Sequence, residues 1–370
     1  MKKLDKHIKI IISGGGTGGH IFPAISIADE LISRDKNTEI LFVGALGRME
    51  MERIPAAGYK IIGLPVTGLQ RKLTFKNLFV IINLFKSLKI AKKIIKEFEP
   101  QIVIGVGGYA SWPILHTAVK RGIPALIQEQ NSYAGVSNRL LTKKVAKICV
   151  AYNGMDKYFP ENKIVNTGNP VRNIQISGTL RMQGLEYFSL KEKIPVVLVI
   201  GGSLGARTIN EAIVKNLDLI NNSNFQVIWQ TGKKYFEEIK GGKNLPAYSN
   251  LHVYDFISRM DLAYNVADLV ISRAGAISIS ELCLTGKPSI LVPSPNVAED
   301  HQTKNAMALV KEGAAIMITD KNAEKELMSK VLELMHNDKL RAELSLNIKA
   351  LAKPDSTARI VDEVYKLIKD

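Results

Sequence analysis

Short runs of apolar, mostly β-branched residues recur along the chain, and stretches with helical spacing separate them. In the first half they occupy residues 8–13, 40–43, 101–105, 125–128 and 146–150. In the second half they occupy 196–200, 226–230, 251–254, 269–272, 289–292 and 315–318. These runs are continuously hydrophobic rather than alternating, as suits parallel strands covered on both faces. Strand and helix in alternation restrict the chain to α/β folds with doubly wound parallel sheets. At 370 residues the chain exceeds one ordinary domain, so two such sheets are expected. The boundary is placed near Thr167-Gly168-Asn169-Pro170, giving domains 1–170 and 171–355. Segment 356–370 is helical by pattern, follows the break Lys353-Pro354-Asp355-Ser356, and is expected to complete the first domain.

Three of the strands run into glycine-rich turns. Residues 10–23 read IIISGGGTGGHIFP, 102–113 read IVIGVGGYASWP, and 197–210 read VLVIGGSLGARTIN. Turns at the carboxyl ends of strands line the place where open α/β sheets bind ligands. Glycines let backbone N–H groups approach an anion, and a following helix start adds positive partial charge. The first loop contains G-x-G-x-x-G, yet the strand at 40–43 runs into Gly44-Ala45-Leu46-Gly47 with no acidic ribose anchor, against a nicotinamide cofactor. No G-K-[ST] follows a glycine loop, which removes a Walker-type nucleotide triphosphatase. His20, just after the first loop, is either a packing residue or a general base, since histidine titrates near neutral pH.

The second half holds another constellation, Arg273-Ala274-Gly275 opening a helix with Ala276, Ile277, Ser278, Ile279, Ser280 and Glu281. Such a helix start can take a phosphate. Glu281, about one and a half turns in, can accept both hydroxyls of a ribose, or it can simply complement the helix dipole. A polar loop from Pro293 leads into a further helix containing Gln302. No D-x-D occurs anywhere, so no metal-clamped diphosphate and no cofactor is expected. Backbone amides and helix starts would then stabilise a leaving diphosphate.

Charge is uneven. Of the net +15, residues 1–170 carry +13 and residues 171–370 only +2. A polyanionic partner is expected for the first half alone, nucleic acid or an anionic membrane. The basic half lacks an aromatic-interleaved motif, which speaks against nucleic acid. Residues 76–98 place Leu78, Ile81, Ile82, Phe85 and Leu88 at helical spacing, with Lys86, Lys89, Lys93 and Lys96 on another stripe. This is either a basic amphipathic helix for an anionic bilayer or a crossover helix docked on its sheet. Arg71, Lys72, Lys143, Lys144 and Lys147 are candidate headgroup contacts. No run reaches the roughly 18 apolar residues of a spanning helix. Cys149 and Cys283 both lie in apolar runs, which fits a reducing compartment.

Together these motifs resemble the GT-B glycosyltransferases of bacterial peptidoglycan synthesis. The resemblance runs over nearly the whole chain through 14–20 with Phe22-Pro23, 107–113, Glu129-Gln130-Asn131, 168–172, 201–207, 273–281 and 299–305. It implies two Rossmann-like domains facing across a cleft and an inverting transfer of N-acetylglucosamine from UDP-GlcNAc. The acceptor it implies is the C4 hydroxyl of MurNAc-pentapeptide on undecaprenyl diphosphate, so that lipid I becomes lipid II. By matching position, Thr17, Gly18, Gly19, Asn131, Arg172, Ser203, Ile257, residues 276–281 and Gln302 would contact the donor. Gly16, Gly107, Gly108 and Tyr109 would meet the acceptor diphosphate. His20 would be the base, with Glu129 as the alternative. The resemblance also implies anionic inner-leaflet lipids and other cell-wall synthesis proteins as partners, at the cytoplasmic face of the plasma membrane. Trp112 stands where a smaller residue is usual, and Gln128 where a histidine is common. Another GT-B lipid glycosyltransferase, a UDP-GlcNAc epimerase or a membrane-docked nucleotide-sugar binder without activity are the competing readings.

Overall fold

The structure, a computed structural model, describes residues 7–67, 76–171, 174–202, 204–242, 248–297 and 300–369. The chain divides into two compact units, Met1–Arg172 with Pro354–Asp370, and Asn173–Lys353.

The first unit holds strands β1 (Lys9–Ser13), β2 (Glu39–Ala45), β3 (Lys60–Leu64), β4 (Ile102–Gly105), β5 (Ala125–Glu129), β6 (Lys147–Val150) and β7 (Ile164–Asn166). Helices α1 (Gly18–Arg34), α2 (Glu50–Ala56), α3 (Lys76–Phe98), α4 (Ser111–Lys120) and α5 (Val136–Leu141) connect them. All pairs are parallel, in the order β3-β2-β1-β4-β5-β6-β7. The order reverses between β1 and β4, where Ser13 pairs with Gly105. In such a sheet the crevice for a ligand opens beyond the carboxyl ends at this point. β3 and β7 lie outside the apolar runs of the sequence. Both are edge strands and only partly buried, so neither needs a continuous apolar run.

The second unit begins with α6 (Gly178–Tyr187), in a stretch without a clear periodic pattern, capped by Ser177, whose Oγ accepts from the Leu180 N–H at 3.2 Å. It continues with β8 (Val196–Ile200), α7 (Arg207–Lys215), α8 (Leu217–Asn221), β9 (Gln226–Gln230), α9 (Lys233–Gly242), β10 (Leu251–Tyr254) and α10 (Met260–Val266). Then follow β11 (Leu269–Ser272), α11 (Ala276–Thr285), β12 (Ser289–Leu291), α12 (His301–Val310), β13 (Ile316–Met317), α13 (Ala323–Met335) and α14 (Asp338–Ala350). The strand order β10-β9-β8-β11-β12-β13 reverses between β8 and β11, where Ile200 pairs with Ser272. Both sheets are therefore Rossmann-like.

The last helix, α15 (Ser356–Lys369), lies in the first unit. Ile360, Val361 and Val364 are fully buried and pack with Ile10, Ile12, Ile21 and Ile27. Arg34 pairs with Asp362 at 2.6 Å and donates to the Ala358 carbonyl at 3.0 Å. Each fully buried aliphatic chain contributes about 1.5–3 kcal/mol. The carboxyl-terminal segment is thus part of the first core.

α3 differs in burial along its length. Its later turns dock, with Ala91, Ile94 and Ile95 buried against the sheet. Its early turns expose Phe79 and Phe85 at 66% and 69%, along with Ile81 and Ile82. Among the described residues no helix is long and apolar enough to cross a membrane. Both cysteines are buried and unpaired, and burial pushes each thiol up to about 12. They pack as small hydrophobes.

Candidate active site

In the first unit, the loops after β1 and β4 meet at the switch point. A Cβ on Gly108 would lie 2.5 Å from the Gly15 carbonyl oxygen, and one on Gly14 would lie 2.4 Å from Val106. Gly16, Gly107 and Gly108 take φ of +87°, +94° and +87°, which side chains rarely tolerate. No side chain caps the start of α1. His20, half-buried in its first turn, places Nδ1 2.9 Å from the Gly15 carbonyl oxygen. A carbonyl only accepts, so Nδ1 carries the proton and Nε2 is the basic nitrogen of the neutral ring. Its ring lies against Gly107, where a Cβ would come within 2.8 Å of Nε2.

Beneath this loop sits Glu50, fully buried. Its Oε2 accepts from the Gly16 N–H at 2.9 Å and its Oε1 from the Ala45 N–H at 3.0 Å. A Cβ on Gly15 would fall 2.0 Å from this carboxylate and one on Gly44 2.6 Å from its Cγ. The amide of Gly16, a residue expected to meet a diphosphate, is engaged by Glu50. Gly107 is buried, Gly108 partly so, and Tyr109 is 60% exposed.

Glu129 ends β5, 2% exposed. It accepts from the Asn131 N–H at 3.2 Å, the Gly135 N–H at 2.9 Å and Asn138 Nδ2 at 2.9 Å. Both oxygens brace the loop that carries Asn131. Proton removal by Glu129, the alternative base, would require it to leave these donors. Gln128 lies in a buried amide network: its Nε2 donates to Asn169 Oδ1 at 3.1 Å, and Asn169 donates to the Gln130 carbonyl at 3.1 Å. Trp112 stacks on His116 with centroids 4.6 Å apart.

In the second unit, Gln230 at the end of β9 joins two parts of the site. Its Nε2 donates to the Gly202 carbonyl at 3.1 Å and its Oε1 accepts from the Ile257 N–H at 2.9 Å. Of the Ile257 backbone groups, the carbonyl is then the one suited to a base edge. α11 starts at Gly275 without a side-chain cap, so Ala276, Ile277 and Ser278 form its first turn. Ile279 is buried, and Ser280 donates back to the Ala276 carbonyl at 2.9 Å. Glu281 is 6% exposed and accepts from the Tyr264 hydroxyl at 3.0 Å. Arg273 ties the ends of β11 and β12 together through the Val292 carbonyl at 3.0 Å and an ion pair with Asp320. Gln302 in α12 accepts from the Ser294 N–H at 2.8 Å, bracing the polar loop before it. Among the described residues no group of three or more His, Cys, Asp or Glu could hold a metal ion.

Residues 10–150 match the N-terminal domain of glycosyltransferase family 28, and residues 196–360 match its C-terminal domain. The chain belongs to glycosyltransferase family 28. Two curated relatives of this family 28 chain carry the name UDP-N-acetylglucosamine--N-acetylmuramyl-(pentapeptide) pyrophosphoryl-undecaprenol N-acetylglucosamine transferase. The protein of that name from Parabacteroides distasonis is 58% identical over 97% of this chain and 98% of its own length. That from Cytophaga hutchinsonii is 54% identical, with 98% of each covered. The crystal structure of MurG from Acinetobacter baumannii superposes with a TM-score of 0.75 at 28% identity, covering 97% of this chain and 99% of that one.

Within this family 28 fold the expected residues gather in two groups. Gly16, Thr17, Gly18, Gly19 and His20 adjoin Gly107 and Gly108 in the first unit, with Asn131 on the loop that Glu129 braces. In the second, residues 276–281 share α11, Gln302 holds the loop after β12, and Ile257 is linked to Gly202 through Gln230. Arg172 and Ser203 lie outside the described residues, as do Arg71 and Lys72. Reasoning from sequence missed Glu50, Gln230 and Tyr264. Glu50 had a signal: the acid absent from the end of β2 appears five residues later and returns to it.

Proposed function

We infer that this chain transfers N-acetylglucosamine from UDP-GlcNAc to the C4 hydroxyl of MurNAc-pentapeptide carried on undecaprenyl diphosphate, converting lipid I to lipid II. The full-length 58% identity to a transferase named for that reaction carries the conclusion. The second domain holds the donor. The start of α11 faces the diphosphate, Glu281 takes the ribose hydroxyls and the Ile257 carbonyl addresses the uracil. The first domain holds the acceptor and supplies the base. His20 Nε2 removes the C4 hydroxyl proton as that oxygen forms its bond to the anomeric carbon. The bond from that carbon to UDP breaks, and UDP leaves with its electron pair, so the centre inverts. Positioning supplies much of the rate, and helix starts stabilise the departing charge.

The protein attaches to the cytoplasmic face of the plasma membrane through the early turns of α3. Phe79, Ile81, Ile82 and Phe85 are partly or largely exposed there, and Lys86, Lys89 and Lys93 are exposed on the same helix. Lys143 and Lys144 add exposed charge after α5. Near an anionic surface each lysine contributes roughly 1 kcal/mol. Incubation of the purified protein with radiolabelled UDP-GlcNAc and a short-chain lipid I analogue tests the reaction. Labelled disaccharide lipid is the expected product; release of free N-acetylglucosamine alone would exclude the transfer.

A further inference from the structure

One peptide unit connects the base with a buried carboxylate. The carbonyl of the Gly15–Gly16 peptide accepts from His20 Nδ1 at 2.9 Å, and the N–H of the same peptide donates to Glu50 Oε2 at 2.9 Å. Glu50 itself has no solvent exposure. Its other oxygen is fixed by the Ala45 N–H at the end of β2, so the side chain is held at both oxygens. Side chains at 15 and 44 would occupy the carboxylate's place, which gives both glycines a steric reason.

We propose that Glu50 is a positioning residue that acts on His20 through the Gly15–Gly16 peptide. The proposal rests on reading His20 as the base of the transfer. A carboxylate at the N–H end of a peptide polarises it and strengthens its carbonyl as an acceptor, because linked hydrogen bonds reinforce one another at low dielectric. The stronger acceptor holds the proton on Nδ1, keeps Nε2 as the basic nitrogen, and stabilises the imidazolium formed when Nε2 takes the acceptor proton. A carboxylate bonded directly to a histidine does the same in hydrolytic triads. Here a peptide intervenes, so the carboxylate stays beneath the loop and does not face the incoming diphosphate. The charged or titratable residues nearest in sequence are Arg48, Glu52 and Arg53 in and before α2, and Tyr109 next to Gly108 after β4. The Asp362 partner of Arg34 marks the far end of α1. Glu50 is the group that bonds the peptide His20 contacts.

The test is nitrogen-detected NMR of the full-length protein labelled at histidine, with His20→Ala for assignment, alongside pH–rate profiles. In the wild type the neutral His20 ring is expected as the Nδ1–H tautomer. Glu50→Gln should lower the His20 midpoint by about 0.5–1 pH unit and shift the acid limb of kcat/KM by the same amount. The expected loss in kcat is about tenfold, with the KM for UDP-GlcNAc unchanged. If Glu50→Gln does not fold, Glu50→Asp, which keeps the charge but retracts it, should move the midpoint in the same direction. An Nε2–H tautomer in the wild type, or an unmoved midpoint in a folded variant, overturns the proposal. A plain brace would lower stability and leave the midpoint in place. The NMR readout does not use the acceptor, so failure of the transfer assay is separable from failure of the relay.

Discussion

Tyr264 on α10 donates its hydroxyl to Glu281 Oε2 on α11 at 3.0 Å, and both side chains are buried. A carboxylate that takes two ribose hydroxyls must present a fixed plane, and a long side chain in a helix has rotamer freedom to lose. Tyr264 holds one oxygen of Glu281 in place, as the proposed ribose contact requires. Removing the hydroxyl alone costs about 0.5–1.5 kcal/mol. Tyr264→Phe should therefore raise the KM for UDP-GlcNAc by roughly 2–12-fold, with kcat nearly unchanged. Steady-state kinetics with calorimetric titration of UDP would check it, and an unaltered UDP affinity would refute the role.

The two glycines flanking the first loop should respond oppositely to alanine. At Gly15 a methyl would meet the Glu50 carboxylate at 2.0 Å, and that carboxylate cannot retreat without giving up two amides. Gly15→Ala should cost about 1–3 kcal/mol of stability. At Gly19 the nearest atom to a new Cβ is Thr17 Oγ1 at 3.6 Å, an ordinary contact. Because Gly19 is helical, Gly19→Ala should stabilise by up to about 1 kcal/mol. Urea unfolding of both variants distinguishes them.

Much of the fold is legible in the sequence because its central strands are buried on both faces and must be apolar throughout. The edge strands β3 and β7 escape that logic, as does α6, whose sequence has almost no amphipathic pattern. The site divides in the same way. Residues 14–20 and 273–281 are visible because glycine loops and helix starts have local signatures. Glu50, Gln230 and Tyr264 act at a distance in sequence: Glu50 reaches back to a loop more than thirty residues earlier, and Tyr264 reaches across to the next helix. No local pattern marks the contacts of Gln230 and Tyr264. The three donors around Glu129, from Asn131, Gly135 and Asn138, are likewise seen only in the structure.

The proposed attachment through α3 can be tested apart from catalysis. Phe79 and Phe85 are the most exposed of its described apolar residues and lie away from the glycine loops in sequence. Phe79→Ser with Phe85→Ser should reduce cosedimentation with anionic vesicles, as should raising the salt concentration, because screening shortens the reach of the lysines. Turnover of a water-soluble acceptor analogue should be preserved. Equal vesicle binding by the double variant would remove α3 as the docking helix.

Lys287 gives a pH signature in the second domain. Burial is the main cause that pulls its amine down to about 8, against the ordinary 10.5; nearby Asp268 works in the other direction. Its Nζ donates to the Ala267 carbonyl at 2.7 Å, at the edge of a cavity of about 440 Å³ that Asp268 and Arg341 also line. Between pH 8 and 10.5 the unfolded chain binds more protons at this site than the folded one, so stability must rise with pH there. Below pH 8 both forms are protonated and the burial cost is fully present. Lys287→Met removes the titration. The unfolding free energy of the wild type minus that of the variant should therefore become more positive from pH 7.5 to 10.5, as measured by urea denaturation at each pH. A difference that stays flat across this range would mean that the amine titrates as if exposed.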